Sequence, residues 1–113
     1  MKNILFAFMT CLALSTSAQS AGVQTQTFIV KGNCDDCKER IENAADIKGV
    51  KLVKWDPDTQ VATATYDTEK VTVPKIQQAI AAAGYDAGTV KGSDRAYKKL
   101  PKCCQYRDQK CEE

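Results

Sequence analysis

The chain has 113 residues, a length that suits one small domain with short appendages. It carries 16 basic and 14 acidic side chains. Setting Lys2 aside leaves 15 against 14, so no overall field draws it to nucleic acid or to a membrane surface. There is no histidine, which removes the usual general base and the commonest metal ligand and leaves sulfur and carboxylates to carry any chemistry.

The first segment is read as a signal peptide, residues 1–18. Lys2 precedes an apolar run from Ile4 to Leu14, and small residues follow in "STSAQSAG". The run is about half of the roughly 20 apolar residues that span a bilayer. Thr16 and Ala18 fit the small-residue positions best, which places cleavage after Ala18, with Ala21 as the second choice. Met9-Thr10 before Cys11 is a poor context for a lipid anchor. The expected location is the periplasm of a bacterium.

"VQTQTFIVKG", Val23 to Gly32, is rich in β-branched and aromatic residues and predicts a strand ending at the glycine. A helix follows, with Cys37, Ile41, Ala44 and Ala45 on one face and Lys38, Glu39, Arg40 and Glu42 pointing outward. Asn33 or Asp36 is the expected cap, Asp36 and Glu39 having capping-box spacing, and Gly49 the expected stop. "VKLVKWD" and "QVATATYD" predict two strands joined by a turn at "DPDT". In the second, Ala62, Ala64 and Tyr66 alternate with Val61, Thr63 and Thr65, as a sheet with one covered face requires. A second helix starts near Pro74 and ends before Gly84, with Ile76, Ile80 and Ala83 as its apolar stripe, extended by Val73 and Ala79. "YDAGTVKG" predicts a last short strand. The order β-α-β-β-α-β is the split βαβ plan: an α+β, ferredoxin-like sandwich of a four-stranded antiparallel sheet with both helices on one face. The stretch after Gly92, "SDRAYKKLPKCCQYRDQKCEE", is too small for a second domain and is expected to be a loosely structured extension, helical around Asp94 to Leu100 until Pro101 stops it.

Without Cys11, the cysteines are Cys34, Cys37, Cys103, Cys104 and Cys111. Five cannot all pair internally. The fold has a workable core without staples, so the Cys34-x-x-Cys37 pair at a loop-to-helix junction has three readings: a metal clamp, a redox dithiol or a structural disulfide. Two thiolates directed to one point bind a soft ion such as Cu(I) or Hg(II). The helix N-terminus stabilises a thiolate. Asp35 and Asp36 oppose it and are either helix-start acids or oxygen ligands to a harder ion such as Zn(II). The thioredoxin arrangement shares the spacing, but a parallel βαβ start is absent and no Trp or Pro flanks the motif. If Cys37 opens the apolar face with Ile41, it is the more buried of the pair.

"FIVKGNCDDCKERIE", the element order and "IAAAGYDA" resemble the heavy-metal-associated domain, a family that includes periplasmic mercuric-ion binding proteins, copper chaperones and the N-terminal modules of soft-metal P-type ATPases. The resemblance covers roughly Thr25 to Val90, within a domain assigned to residues 23–91, and leaves 92–113 as a cysteine-containing extension. It implies that Cys34 and Cys37 are metal ligands. It also implies that Tyr85 lies near the metal, the other reading being an aromatic packed over the sheet edge. The family's Gly-Met-x-Cys is here Gly32-Asn33-Cys34, one residue shorter and without the Met.

Cys103 and Cys104 are candidate additional ligands. Folded back, they make a three- or four-sulfur site with Cys34 and Cys37; alternatively they clip the tail to the domain, or form a second site with Cys111. The expected function is that of a non-enzymatic carrier, a monomer that binds Cu(I) or Hg(II), with Zn(II) less suited, and passes it to a membrane metal transporter or P-type ATPase by ligand exchange. A thiol–disulfide protein using Cys34 and Cys37 is the competing reading. Lys31, Lys38 and Arg40 beside the loop are candidates for steering a partner.

Overall fold

A computed structural model describes residues 22–108. The signal-peptide reading and Cys111 lie outside the described residues.

Strand β1 (Val23–Ile29), helix α1 (Asp35–Ala44), strands β2 (Val50–Trp55) and β3 (Val61–Asp67) and helix α2 (Val73–Ala82) follow one another as the periodicity predicts. β3 pairs antiparallel with both neighbours, giving the order β1-β3-β2. The register sets Phe28 opposite Ala62 on one side and Trp55 opposite Ala62 on the other, with Val53 opposite Ala64. Ala62, Ala64, Tyr66, Val53 and Trp55 are therefore buried on one face together with Ile41, Ile76 and Ile80 from the helices. The small alanines of β3 leave room for the Trp55 indole and the isoleucines to meet. The opposite face carries Thr63 and Thr65, and leaves Ile29 and Leu52 exposed.

The fourth strand position is filled by residues 85–90, but as an isolated bridge rather than a strand. Val30 pairs with Ala87, framed by Lys31 N–H to Asp86 O (2.9 Å) and Gly88 N–H to Ile29 O (2.7 Å). Ala87 and Val90 then exchange two hydrogen bonds across a tight turn, for which Gly88 takes φ +56°, and the chain leaves the sheet edge at once. The arrangement is the ferredoxin-like one, with its fourth edge reduced to one pair.

Two helix ends differ from expectation. Cys34 itself is the N-cap of α1 and its side chain makes no capping hydrogen bond, so the N-cap position is neither Asn33 nor Asp36. The helix ends at Ala44, well before Gly49, which instead opens β2 at φ +96°. α2 starts as predicted, with Thr72 Oγ1 accepting from Lys75 N–H and Pro74 in the first turn.

As far as Asp108 the extension is folded rather than loose, and it includes the helix expected at Asp94. Ser93 caps helix α3 (Asp94–Lys98), whose Tyr97 is buried along with Leu100, and a single 3-10 turn, Lys102–Cys104, follows Pro101. Its docking depends on two glycines. A Cβ on Gly84 (φ +104°) would lie 2.8 Å from Tyr97 N, and one on Gly92 would lie 2.7 Å from the Gly84 carbonyl. The three backbones are packed too closely for side chains.

Candidate metal centre

The loop between β1 and α1 is pinned before it reaches Cys34. Trp55 Nε1–H donates to Val30 O (2.9 Å), and Gln60 Nε2–H donates to Gly32 O (2.8 Å). Gly32 rests on the Trp55 indole and the Ile41 methyl, where a Cβ would come within 3.0–3.2 Å of both. Gln60 holds φ +61° at the end of the β2–β3 turn, and its own carbonyl accepts from Val30 N–H. Nothing in the sequence marked Gln60 as part of the site. Glu42, expected to point to solvent, turns inward: its Oε2 accepts from Trp55 N–H (2.9 Å) and pairs with Lys38.

Cys34 and Cys37 stand at the uncapped start of α1. Cys37 is fully buried and Cys34 half-buried, as the Cys37–Ile41 register predicts. The tail brings two more sulfurs to the same place. Cys104 is fully buried and Cys103 exposed, with their Sγ atoms 4.0 Å apart. The sulfurs of Cys34, Cys37 and Cys104 all lie within 4.8 Å of one another. So do Cys34 Sγ, an Asp36 carboxylate oxygen and Cys103 Sγ. The Cys103 backbone carbonyl accepts from Asn33 Nδ2 (3.0 Å) and from the Cys34 thiol (3.8 Å), and the Cys103 thiol reaches Asp36 Oδ2 (3.6 Å).

Burial, and then the neighbouring Cys37, push the Cys104 thiol well above its usual range. Desolvation, with the Asp36 carboxylate and Cys34 nearby, also raises Cys103, more than its contact with Cys104 lowers it. Tyr85, fully buried, is raised by burial first and then by Cys37 and Cys104 beside it. Its hydroxyl has no hydrogen-bond partner among the described residues; its neighbours are those two sulfurs. The Tyr85 ring stacks on Tyr106 of the tail while its hydroxyl faces the cysteines. Three sulfurs gathered this closely form a set that soft metal ions favour as ligands.

The Heavy-metal-associated domain model matches residues 27–86 of the chain. The chain belongs to this family. Among curated relatives of this heavy-metal-associated protein, the copper chaperone CopZ of Enterococcus hirae is 40% identical over 67 residues, covering 58% of this chain and 97% of CopZ. The zinc-transporting ATPase of Synechocystis is 38% identical over 77 residues, covering 66% of this chain but only 11% of the ATPase. Among solved structures, oxidized MerP from Ralstonia metallidurans superposes with a TM-score of 0.55 at 34% identity, covering 58% of this chain and 94% of MerP. The tail that supplies Cys103 and Cys104 lies beyond the residues the family model matches.

Proposed function

We propose that this heavy-metal-associated protein is an exported soft-metal carrier that binds Cu(I) or Hg(II) through Cys34 and Cys37 and hands it to a membrane transporter or P-type ATPase. The observation that carries this reading is the pair itself: two cysteines at an uncapped helix start, one buried and one half-exposed, on a loop held by Trp55 and Gln60. Soft sulfur ligands select soft ions. The first-turn N–H groups of α1, with no side chain capping them, offset the negative charge that two thiolates bring. Relatives named as copper chaperones, and structures that include MerP, support the same reading.

Transfer is ligand exchange. A thiol of the partner loses its proton and forms a metal–sulfur bond, one chain sulfur releases the metal, and that sulfur takes up a proton. The partner's thiol reaches the ion past the half-exposed Cys34, because Cys37 is closed off by the core. No substrate bond is made or broken and no electron moves, so the chain acts as a carrier and not as an enzyme, working as a monomer. Export rests on the sequence of the first 18 residues; a purified periplasmic form beginning at Gln19 or Gly22 checks it.

The test of the carrier reading is binding of Cu(I), Hg(II) and Zn(II) to reduced protein, wild type against Cys34→Ser/Cys37→Ser. Tight soft-metal binding that the double variant loses supports it. Affinity no better than that of a small dithiol, together with a reversible and fairly oxidising potential for Cys34 and Cys37, replaces it with a thiol–disulfide role.

A further inference from the structure

We infer that Cys104, from the extension, is the third ligand of the carrier site, making it a buried three-sulfur centre rather than a two-sulfur one. The inference rests on the carrier reading and adds a residue outside the stretch that the family model matches.

Three observations converge. First, the geometry nearly fits. An ion with metal–sulfur bonds of about 2.3 Å, ligated in a plane by three sulfurs, needs them about 4.0 Å apart. The three sulfurs here already lie within 4.8 Å of one another, although Cys37 and Cys104 are 67 positions apart in the chain. Second, the Tyr85 hydroxyl is fully buried with no hydrogen-bond partner among the described residues, and Cys37 and Cys104 are its neighbours. Burying a donor unpaired is unfavourable. A metal-bound thiolate at either sulfur is a strong acceptor, so loading the site gives the Tyr85 hydroxyl a partner. Third, the tail holds Cys104 in place. The Asn33 amide fixes the Cys103 carbonyl, Tyr106 stacks on Tyr85, and Arg107 binds Asp86 and Asp94.

Cys103 does not fill the same role. It is exposed, its thiol is turned to Asp36 Oδ2, and the set it forms with Cys34 and Asp36 mixes sulfur with an exposed carboxylate. With Cys37 and Cys104 both buried, an incoming partner meets Cys34 first.

X-ray absorption on the full chain loaded with one equivalent of Cu(I) reads the sulfur count directly. The expected result is three sulfurs in the wild type and in Cys103→Ser. Two are expected in both Cys104→Ser and Cys104→Ala, with Cu(I) affinity weakened about tenfold or more, since even second-sphere partners of metal ligands are worth 10–100-fold. The two Cys104 variants guard against a local packing defect, because serine introduces a polar atom and alanine does not. Two sulfurs in the wild type overturn the inference and leave the carrier reading intact. So does a third sulfur that survives Cys104→Ala. Failure of the wild type to take up Cu(I) at all overturns the carrier reading, and the inference with it.

Discussion

Tyr106 of the extension lies on Tyr85 of the domain, ring centroids 5.7 Å apart and planes within 17° of parallel. The Tyr106 hydroxyl donates to Gly84 O (2.9 Å) and accepts from Asp86 N–H (2.9 Å), so one tail residue closes the loop that carries Tyr85 from both sides. Tyr97 meets the Tyr106 ring edge-on at 5.4 Å, and the Arg107 guanidinium sits 4.6 Å from the Tyr97 ring centre. The tail is thus a built part of the site wall.

Arg107 is the clip. It donates to Asp86 Oδ1 and Asp94 Oδ1 (both 2.8 Å) and to Gly92 O (3.0 Å). Arg107→Ala should lower stability by about 1 kcal/mol, the figure for charge-assisted hydrogen bonds discounted for exposure. Amide exchange of residues 93–108 should accelerate more than that of β1–β3. Denaturant titration with hydrogen exchange checks both; uniform acceleration across the chain would show that the tail is not a separate unit.

The same clip is acid-sensitive. Burial alone would push the Asp86 carboxyl up, but the Gly92 N–H and the Arg107 guanidinium more than offset it and hold it below its usual range. Asp94 is lowered chiefly by Arg107 and then by Lys91. A carboxyl whose pKa is depressed in the folded state contributes stability above its unfolded pKa and loses it as pH falls through the folded one. Tail attachment should therefore hold above about pH 4, the ordinary aspartate value, and weaken below it. Asp86→Asn should flatten that dependence, read as the pH profile of tail amide exchange.

Thiol reactivity should divide by burial. In protein reduced beforehand, a maleimide reagent should modify Cys34 and Cys103 at least about tenfold faster than Cys37 and Cys104, because reaction needs an accessible thiolate. Cys37 and Cys104 are both fully buried, and burial raises the Cys104 thiol further. Peptide mapping at short times measures the order. Fast labelling of Cys104 in otherwise folded protein would mean that the tail does not rest on the site.

Gly92→Ala should destabilise the chain by about 1–3 kcal/mol, the usual cost of overpacking, because its Cβ would meet the Gly84 carbonyl at 2.7 Å and backbone cannot swing aside. Gly32→Ala should cost less, as its nearest neighbours at 3.0–3.2 Å are the Trp55 ring and an Ile41 methyl, which have some freedom. Thermal melts of the two variants give the ranking.

Much of the domain was legible in the sequence. Alternation along β3 required one covered face, and the Cys37–Ile41 spacing identified the more buried cysteine, because both follow from the period of a single element; that Ala62, Ala64 and Tyr66 form the covered face came from the structure. What was misread depended on neighbours. Cys34 takes the N-cap position that Asn33 or Asp36 seemed suited to, with the preceding loop tied down by Trp55 and Gln60 from other strands. The last strand shrank to the Val30–Ala87 bridge because the turn at Gly88 directs the chain back under the tail.

The sequence by itself determined the β-α-β-β-α-β order, the two-faced alternation of β3, the placement of Cys34 and Cys37 at a helix start and the family. Each of these is local, written in side-chain period, turn residues and the spacing of a short motif. Only the tertiary structure decided where Cys103 and Cys104 lie relative to Cys34 and Cys37. The tail folds back, setting Cys104 beside Cys37 with Tyr85 against both, and leaving Cys103 outside with Asp36. That arrangement rests on contacts between separate elements: the Asn33–Cys103 hydrogen bond across 70 positions, the Tyr85–Tyr106 stack and the close passage of Gly84 and Gly92. Such contacts leave no period in the chain, because their free energy is gained only once both partners have been brought together by the rest of the fold.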